Sequence, residues 1–448
     1  MVLAIVLKRR CAGRAGNGFP LKPVACRPVV AQMRAPSLAL LLAVSLRTAA
    51  LAQEDSVFED STPKRLPTWR LNLTLDHTGI SFGNSTRLNG LRLNWRDYRL
   101  ERINGINVTL WKPGEHVGGE INGLALGVAA PGAGRINGFA LGIGAVVGED
   151  LLSGMSAAIA AVVSGGEIRG LSVAGVATVA GGDLRGISVS GIASVLGWRA
   201  EGLSVGGLAV VGGQSMAGIQ IGGLAAVGGS DLTGISVGGL AAVGGRDMSG
   251  VNIGGLAAVA GGDQAGVNIG GLASVSGGNT AGISIGGLAS VAGQRMAGIN
   301  VGGLAAVSGG DMEGVNLSGL ALVSGGRVRW VNVGGLAVVA GQEAEGLSLT
   351  VGALETGRAV RGFSVAGYRI KTPRTVGFYV AGIMTRTRDL TGVAIASYNR
   401  VRGTQTGLTI GLFNYAVRLH GVQLGVLNIA RNNRGPFRVL PLVNVHLE

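Results

Sequence analysis

The chain has 448 residues, of which 83 are glycine, 47% are apolar and only 14% are charged, with a formal net charge of +14. So apolar a composition argues against disorder, and its charged fraction lies well below the usual quarter. Four histidines and two cysteines leave little material for metal or thiol chemistry.

The first element is a leader over 1–52. From Met33 it reads as a secretory signal: Arg34 as the basic region, an apolar run from Leu38 to Leu46, and Ala50-Leu51-Ala52 as an A-x-A cleavage site before Gln53. The basic stretch before Met33 is taken as an over-extended start, with Met33 as the initiator. Residues 1–52 hold eight Lys/Arg and no Asp/Glu, so 30 basic and 24 acidic residues remain, a net charge of +6. Cys11 and Cys26 fall in the leader, so the exported chain needs no disulfide. No later stretch is long and apolar enough for a membrane-spanning helix.

Residues 53–78 are expected to form a polar linker and N-terminal cap. Irregular repeats follow over 79–137, and a strict sixteen-residue repeat over 138–361. With glycine as position 1, the repeat recurs through fourteen intervals to Gly362, Trp330 standing once in glycine's place. Gly234, Gly250, Gly266 and Gly282 are typical members. Positions 2 and 4 are Ile, Val or Leu; 5 and 6 are usually Gly-Gly; 7 is mostly Leu, 8 Ala and 10 Val. Position 3 alternates Ser and Asn, with Asn252 and Asn268 adjacent. Looser repeats of fourteen to fifteen residues run over 362–432, and 433–448 is expected to cap the array.

Period-two alternation and β-branched residues predict strands, and the many glycines exclude paired helices. The fold class is therefore all-β, read as a β-solenoid of sixteen-residue coils. Stacked coils place each column above itself, which explains identical columns and permits an Asn/Ser ladder at position 3. An antiparallel meander or an outer-membrane barrel remains the alternative, because about ten residues also span a bilayer as a strand. Within each coil, Gly-Gly at 5–6 is expected to bend the chain and 11–16 to form the return loop. Aromatics near both ends are expected to cover the exposed coil edges.

Little catalytic chemistry is legible. GAGRING at 132–138 has neither the spacing nor the following helix of a dinucleotide fingerprint. Asp231, Asp247 and Asp263 share position 14 and are a candidate calcium edge, but turn chemistry accounts for Asp after Gly-Gly and is the preferred reading. His77, His116, His420 and His446 show no ligand spacing. Arg386, Arg388, Arg400 and Arg402, then Arg431, Arg434 and Arg438, interleave with Tyr398, Phe413 and Tyr415, a mixture suited to anionic polymers. Asn-x-Ser/Thr sites occur at Asn72, Asn84, Asn107 and Asn316. No catalytic residue, cofactor or nucleic-acid partner is expected.

The last repeats read GVAIASYN (392–399), GLTIGLFN (407–414) and GVQLGVLN (421–428), and INGLALG (121–127) and INGFALG (136–142) fit more loosely. This pattern resembles the leptospiral-type surface repeat-containing proteins, although Ala replaces the Asn through the middle of the chain. The resemblance implies an exported, surface-associated protein and carries over no catalytic residue. The sequence thus points to a non-enzymatic surface or envelope protein with a structural or adhesin-like role. It would offer a low-charge surface of small residues to envelope polysaccharide, anionic lipid, another surface protein or a second copy. An outer-membrane channel and a calcium-dependent binding module are the alternatives.

Overall fold

The structure is a computed structural model describing residues 70–447. The leader, its signal sequence and the first part of the linker lie outside the described residues. Every repeat of the strict array from 161 onward folds the same way. The strand Leu232–Gly238 is followed by a two-residue turn, the strand Ala241–Gly244, and the turn 245–247; Met248–Gly254 then opens the next coil. Long strands pair in parallel with long strands, Ile235 beside Val251 and Ser236 beside Asn252. Short strands do the same, Ala241 beside Ala257. The result is a β-solenoid of about 21 turns, on the order of 100 Å long at the spacing of paired strands.

The meander and barrel alternatives are contradicted, since both need antiparallel neighbours throughout. Among the described residues, antiparallel pairing occurs only at the two ends. Arg70–Leu75 folds back on Thr78–Gly83, and Val439–His446 pairs against the last long strand. These strands, rather than aromatics, close the solenoid. Pro441 in the terminal strand withholds a backbone donor, which blunts an edge that invites aggregation. The expected aromatic caps lie elsewhere. Trp95 stacks on Trp111 and Phe363 on Phe378 along the outside, while Tyr379 is buried and donates its hydroxyl to the Val360 carbonyl at 2.7 Å.

Position 1 sits within the long strand, where it sets coil spacing. Gly250 has φ +104°, and a Cβ there would stand 2.1 Å from the Gly234 carbonyl oxygen of the preceding coil. Neither the dihedral nor the space admits another residue cheaply. Gly234, Gly266 and Gly282 repeat the geometry. Trp330 takes the same left-handed backbone at φ +79°, a strained conformation for an aromatic residue, and leaves its indole exposed.

The interior is the reverse of an ordinary core. Positions 15, 3, 5, 9 and 11 point inward: in one coil Leu232, Ser236, Gly238, Ala242 and Gly244. The branched residues at 2 and 4 and the leucine at 7 point outward. The two sheets meet so closely that a Cβ on Gly238 would stand 1.9 Å from the Ala241 carbonyl oxygen. Only small side chains fit at that corner; position 9 buries alanine, valine or leucine, and Leu or Met at position 15 fills the wider end. The expected surface of small residues is therefore corrected: small residues line the inside and large apolar ones the outside. The return turn is also shorter than expected, because position 11 ends the short strand and position 15 already opens the next long one.

The position-3 amides pair along the axis inside this core. Asn252 donates to Asn268 at 2.9 Å, and Asn300 to Asn316 and Asn316 to Asn332 at 2.9 Å each. A second buried ladder links Asn399, Asn414 and Asn428, the terminal residues of the three repeats that carry the family resemblance, at 2.8 and 2.7 Å. An external one joins Asn89, Asn104, Asn122 and Asn137. Near the N-terminal end the core holds a fully buried ion pair, Arg92–Asp97 at 2.6 Å, surrounded by Asn84, Asn94, Asn107 and Thr109. Asn107 and Asn316 are fully buried, so neither sequon is accessible in the folded chain.

These contacts fix the outcome of three substitutions, read by denaturation followed by circular dichroism. Gly250→Ala destabilises through both its dihedral and its clash. Asn316→Ala breaks two ladder bonds and costs about 2 kcal/mol. Trp330→Gly relieves strain and stabilises by about 1 kcal/mol.

Candidate functional site

The solenoid has two unlike edges. One is apolar. Its corner carries Trp95 and Trp111 in the first coils, Val128, Ile143 and Ile159 next, then leucine at every sixteenth residue from Leu208 to Leu336. Those leucines are 40–60% exposed. Beyond Leu336 the column reads Gly352, Tyr368, Ile383, Ser397 and Leu412, so it stays largely apolar but is interrupted by glycine and serine. Positions 2 and 4 flank it on one sheet, Ala at 8 and Val at 10 on the other, and no charge interrupts positions 2, 4 or 7 between 138 and 361. A shallow apolar recess of about 550 Å³ opens along it, lined by Val108, Leu126, Leu141, Ile143 and Ile159. Single exposed leucines are ordinary; nine in register, a line on the order of 40 Å long, mark an interaction surface.

The opposite edge, positions 12–16, carries the charges. The three aspartates of the candidate calcium column lie here on successive coils. Asp247 Oδ1 accepts the Asp263 backbone N–H at 2.8 Å, and Asp263 Oδ1 accepts that of Asn279 at 2.7 Å. Arg246 bridges Asp231, at 2.5 Å, and Asp247, at 3.5 Å. The column thus stitches one coil's turn to the next, with arginine as the counter-charge. Asn279 fills the same role, its Oδ1 accepting the Arg295 backbone N–H at 3.2 Å. Among the described residues, no cluster of three or more His, Cys, Asp or Glu forms a metal cage.

Further along this edge Arg295, Glu313, Arg329, Glu345 and Arg361 alternate in sign across successive coils. Burial acts to raise the Asp311 carboxyl, but the Arg327 backbone N–H and guanidinium outweigh it and hold the pKa below its ordinary value. The hydrogen bond from Arg169 likewise lowers Glu167.

The remaining candidates do not assemble. Gly132–Gly142 is a strand, so GAGRING opens no helix. His77 and His116 lie apart in left-handed backbone, and His420 meets His446 edge-on at 6.0 Å. The apolar edge escaped the sequence reading because alternation marks two faces without saying which is inside. Comparison of the chain with protein-family models, curated proteins and solved structures matches none of them.

Two measurements check the charged edge. Asp263→Asn keeps the acceptor and is expected to melt near the parent, whereas Asp263→Ala loses about 1 kcal/mol; millimolar Ca²⁺ is expected to shift neither. For Asp311 and Glu167 the folded pKa lies below the unfolded one. Their contribution is therefore complete at neutral pH and is lost as the pH falls below about 4. Asp311→Asn should flatten that acid limb of the stability curve.

Proposed function

We propose that the protein is an exported, envelope-associated rod without catalytic chemistry, which lies with its apolar edge against a lipid surface. The observation that carries this reading is the corner of nine leucines in register, Leu208 to Leu336, set opposite a charged edge. It gives the whole solenoid the two-faced character of an interfacial helix on a far larger scale. The signal sequence read over 33–52 and the resemblance of the last repeats to surface proteins both support an exported location. Trp95 and Trp111 near one end of the corner and Tyr368 near the other suit the boundary between hydrocarbon and headgroup.

Vesicle flotation tests the reading. With neutral phosphatidylcholine vesicles the chain is expected to float. Leu256→Ser, Leu272→Ser and Leu288→Ser together should weaken partition by on the order of a hundredfold, at about 1 kcal/mol for each half-exposed leucine. These side chains point outward, so circular dichroism of the triple variant should match the parent. A chain that stays at the bottom of the gradient, or that pairs with itself in sedimentation and ignores lipid, contradicts the proposal.

A further inference from the structure

The rod changes sign along its length. Residues 138–355 hold seven Lys/Arg against thirteen Asp/Glu; residues 356–447 hold thirteen Lys/Arg against Asp389 alone. The change is sharpest on the outer face of the short strands. Position 10 is valine from Val147 to Val339, then becomes Glu355, Lys371 and Arg386, and the next coil places Arg400 beside Arg386. Lys371 meets Glu355 at 3.7 Å. Among the described residues no carboxylate pairs with Arg386 or Arg400, and the Arg386 Nε is buried without a partner. Around the adjacent turns Arg358, Arg361, Arg374 and Arg388, with Glu343 and Asp389 among them, line a recess of about 310 Å³.

Like charges held one coil apart repel, and three in register with a single carboxylate at one end form an uncompensated line. Elsewhere, stacked arginines such as Arg169 beside Arg185 and Arg87 beside Arg102 are answered by neighbouring carboxylates. The exception suits a ligand that brings its own row of negative charge. The row runs along the rod axis with one cation per coil, at about 4.8 Å. That step is close to the advance of one residue in an extended sugar chain. It is short for the phosphates of a stretched single-stranded nucleic acid, and only Tyr415 continues the column with an aromatic ring, where a base-stacking platform needs several.

We propose that the last coils bind a linear polyanion, a carboxylated or sulfated polysaccharide, along the Lys371–Arg386–Arg400 column. In the last coils the column replaces the valines on one flank of the apolar edge, and it needs no lipid, so its binding is tested independently of the envelope reading. The test uses the full chain and soluble probes over 50 to 300 mM salt: dextran sulfate, neutral dextran, and an oligothymidine of matched charge. Dextran sulfate is expected to bind with an affinity that falls steeply with salt, and neutral dextran not at all. Arg386→Gln with Arg400→Gln should weaken binding at least tenfold and lower the logarithmic salt slope by about one to two. The control pair Arg185→Gln and Arg246→Gln, on the charged edge, should bind as the parent does. Relief of repulsion means the Arg386/Arg400 variant should melt no lower than the parent, which separates lost binding from lost folding. Absence of dextran sulfate binding, equal binding by the double variant, or tighter binding of oligothymidine would each overturn the proposal.

Discussion

A carbonyl oxygen of each coil occupies the place where a side chain of the next coil would begin. At Gly250 that distance is 2.1 Å, and the same approach recurs at every position-1 glycine of the array. Coil spacing, register and the sixteen-residue period all depend on it. Parallel strands in strict register put like residues side by side, so each column must be a residue that stacks on itself. Asparagine does so by passing a hydrogen bond from amide to amide, and leucine by apolar contact. Aspartate does so only by turning its carboxylate to a backbone N–H or accepting an arginine between copies.

The close approach of the two sheets decides the rest. The corner at position 5 takes only small residues, and the branched residues at 2 and 4 face out, while position 9 still buries valine or leucine at Val210, Leu322 and Val338. Stability must come from backbone ladders, side-chain amide ladders and the Leu/Met column rather than from a wide apolar core. The apolar exterior follows from the same geometry and becomes the feature from which function is argued. With charge confined to the turns opposite, one sequence period yields a rod with an apolar edge, a charged edge and, in its last coils, a cationic stripe.

Much of this was legible in the sequence. Identical columns distinguish stacking from reversal, and Ser236, Asn252 and Asn268 announce the ladder because a row of buried amides is otherwise costly. The orientation of the strands was not legible. Ile235, Val237 and Leu240 look like core residues by type, and only the fold, which turns Ser236 and Gly238 inward, shows that they face out. Caps are expected at 53–78 and 433–448, but their antiparallel closure by 70–83 and 439–446 leaves no periodic trace. The buried Arg92–Asp97 pair was missed because its partners come from several coils. The cluster of arginines in the last repeats was visible as composition, but its arrangement in one register needed the fold.

Distances between spin labels test the stacking most directly. With Cys11 and Cys26 replaced by serine, cysteines introduced at Leu208, Leu272 and Leu336 place labels on the outer corner, four coils apart in turn. The stacked solenoid predicts about 19 Å for each adjacent pair and about 38 Å for the outer pair, the two shorter distances adding along a line. Distances that fail to add, or an outer pair no farther apart than its neighbours, would contradict parallel coils built on the position-1 glycines.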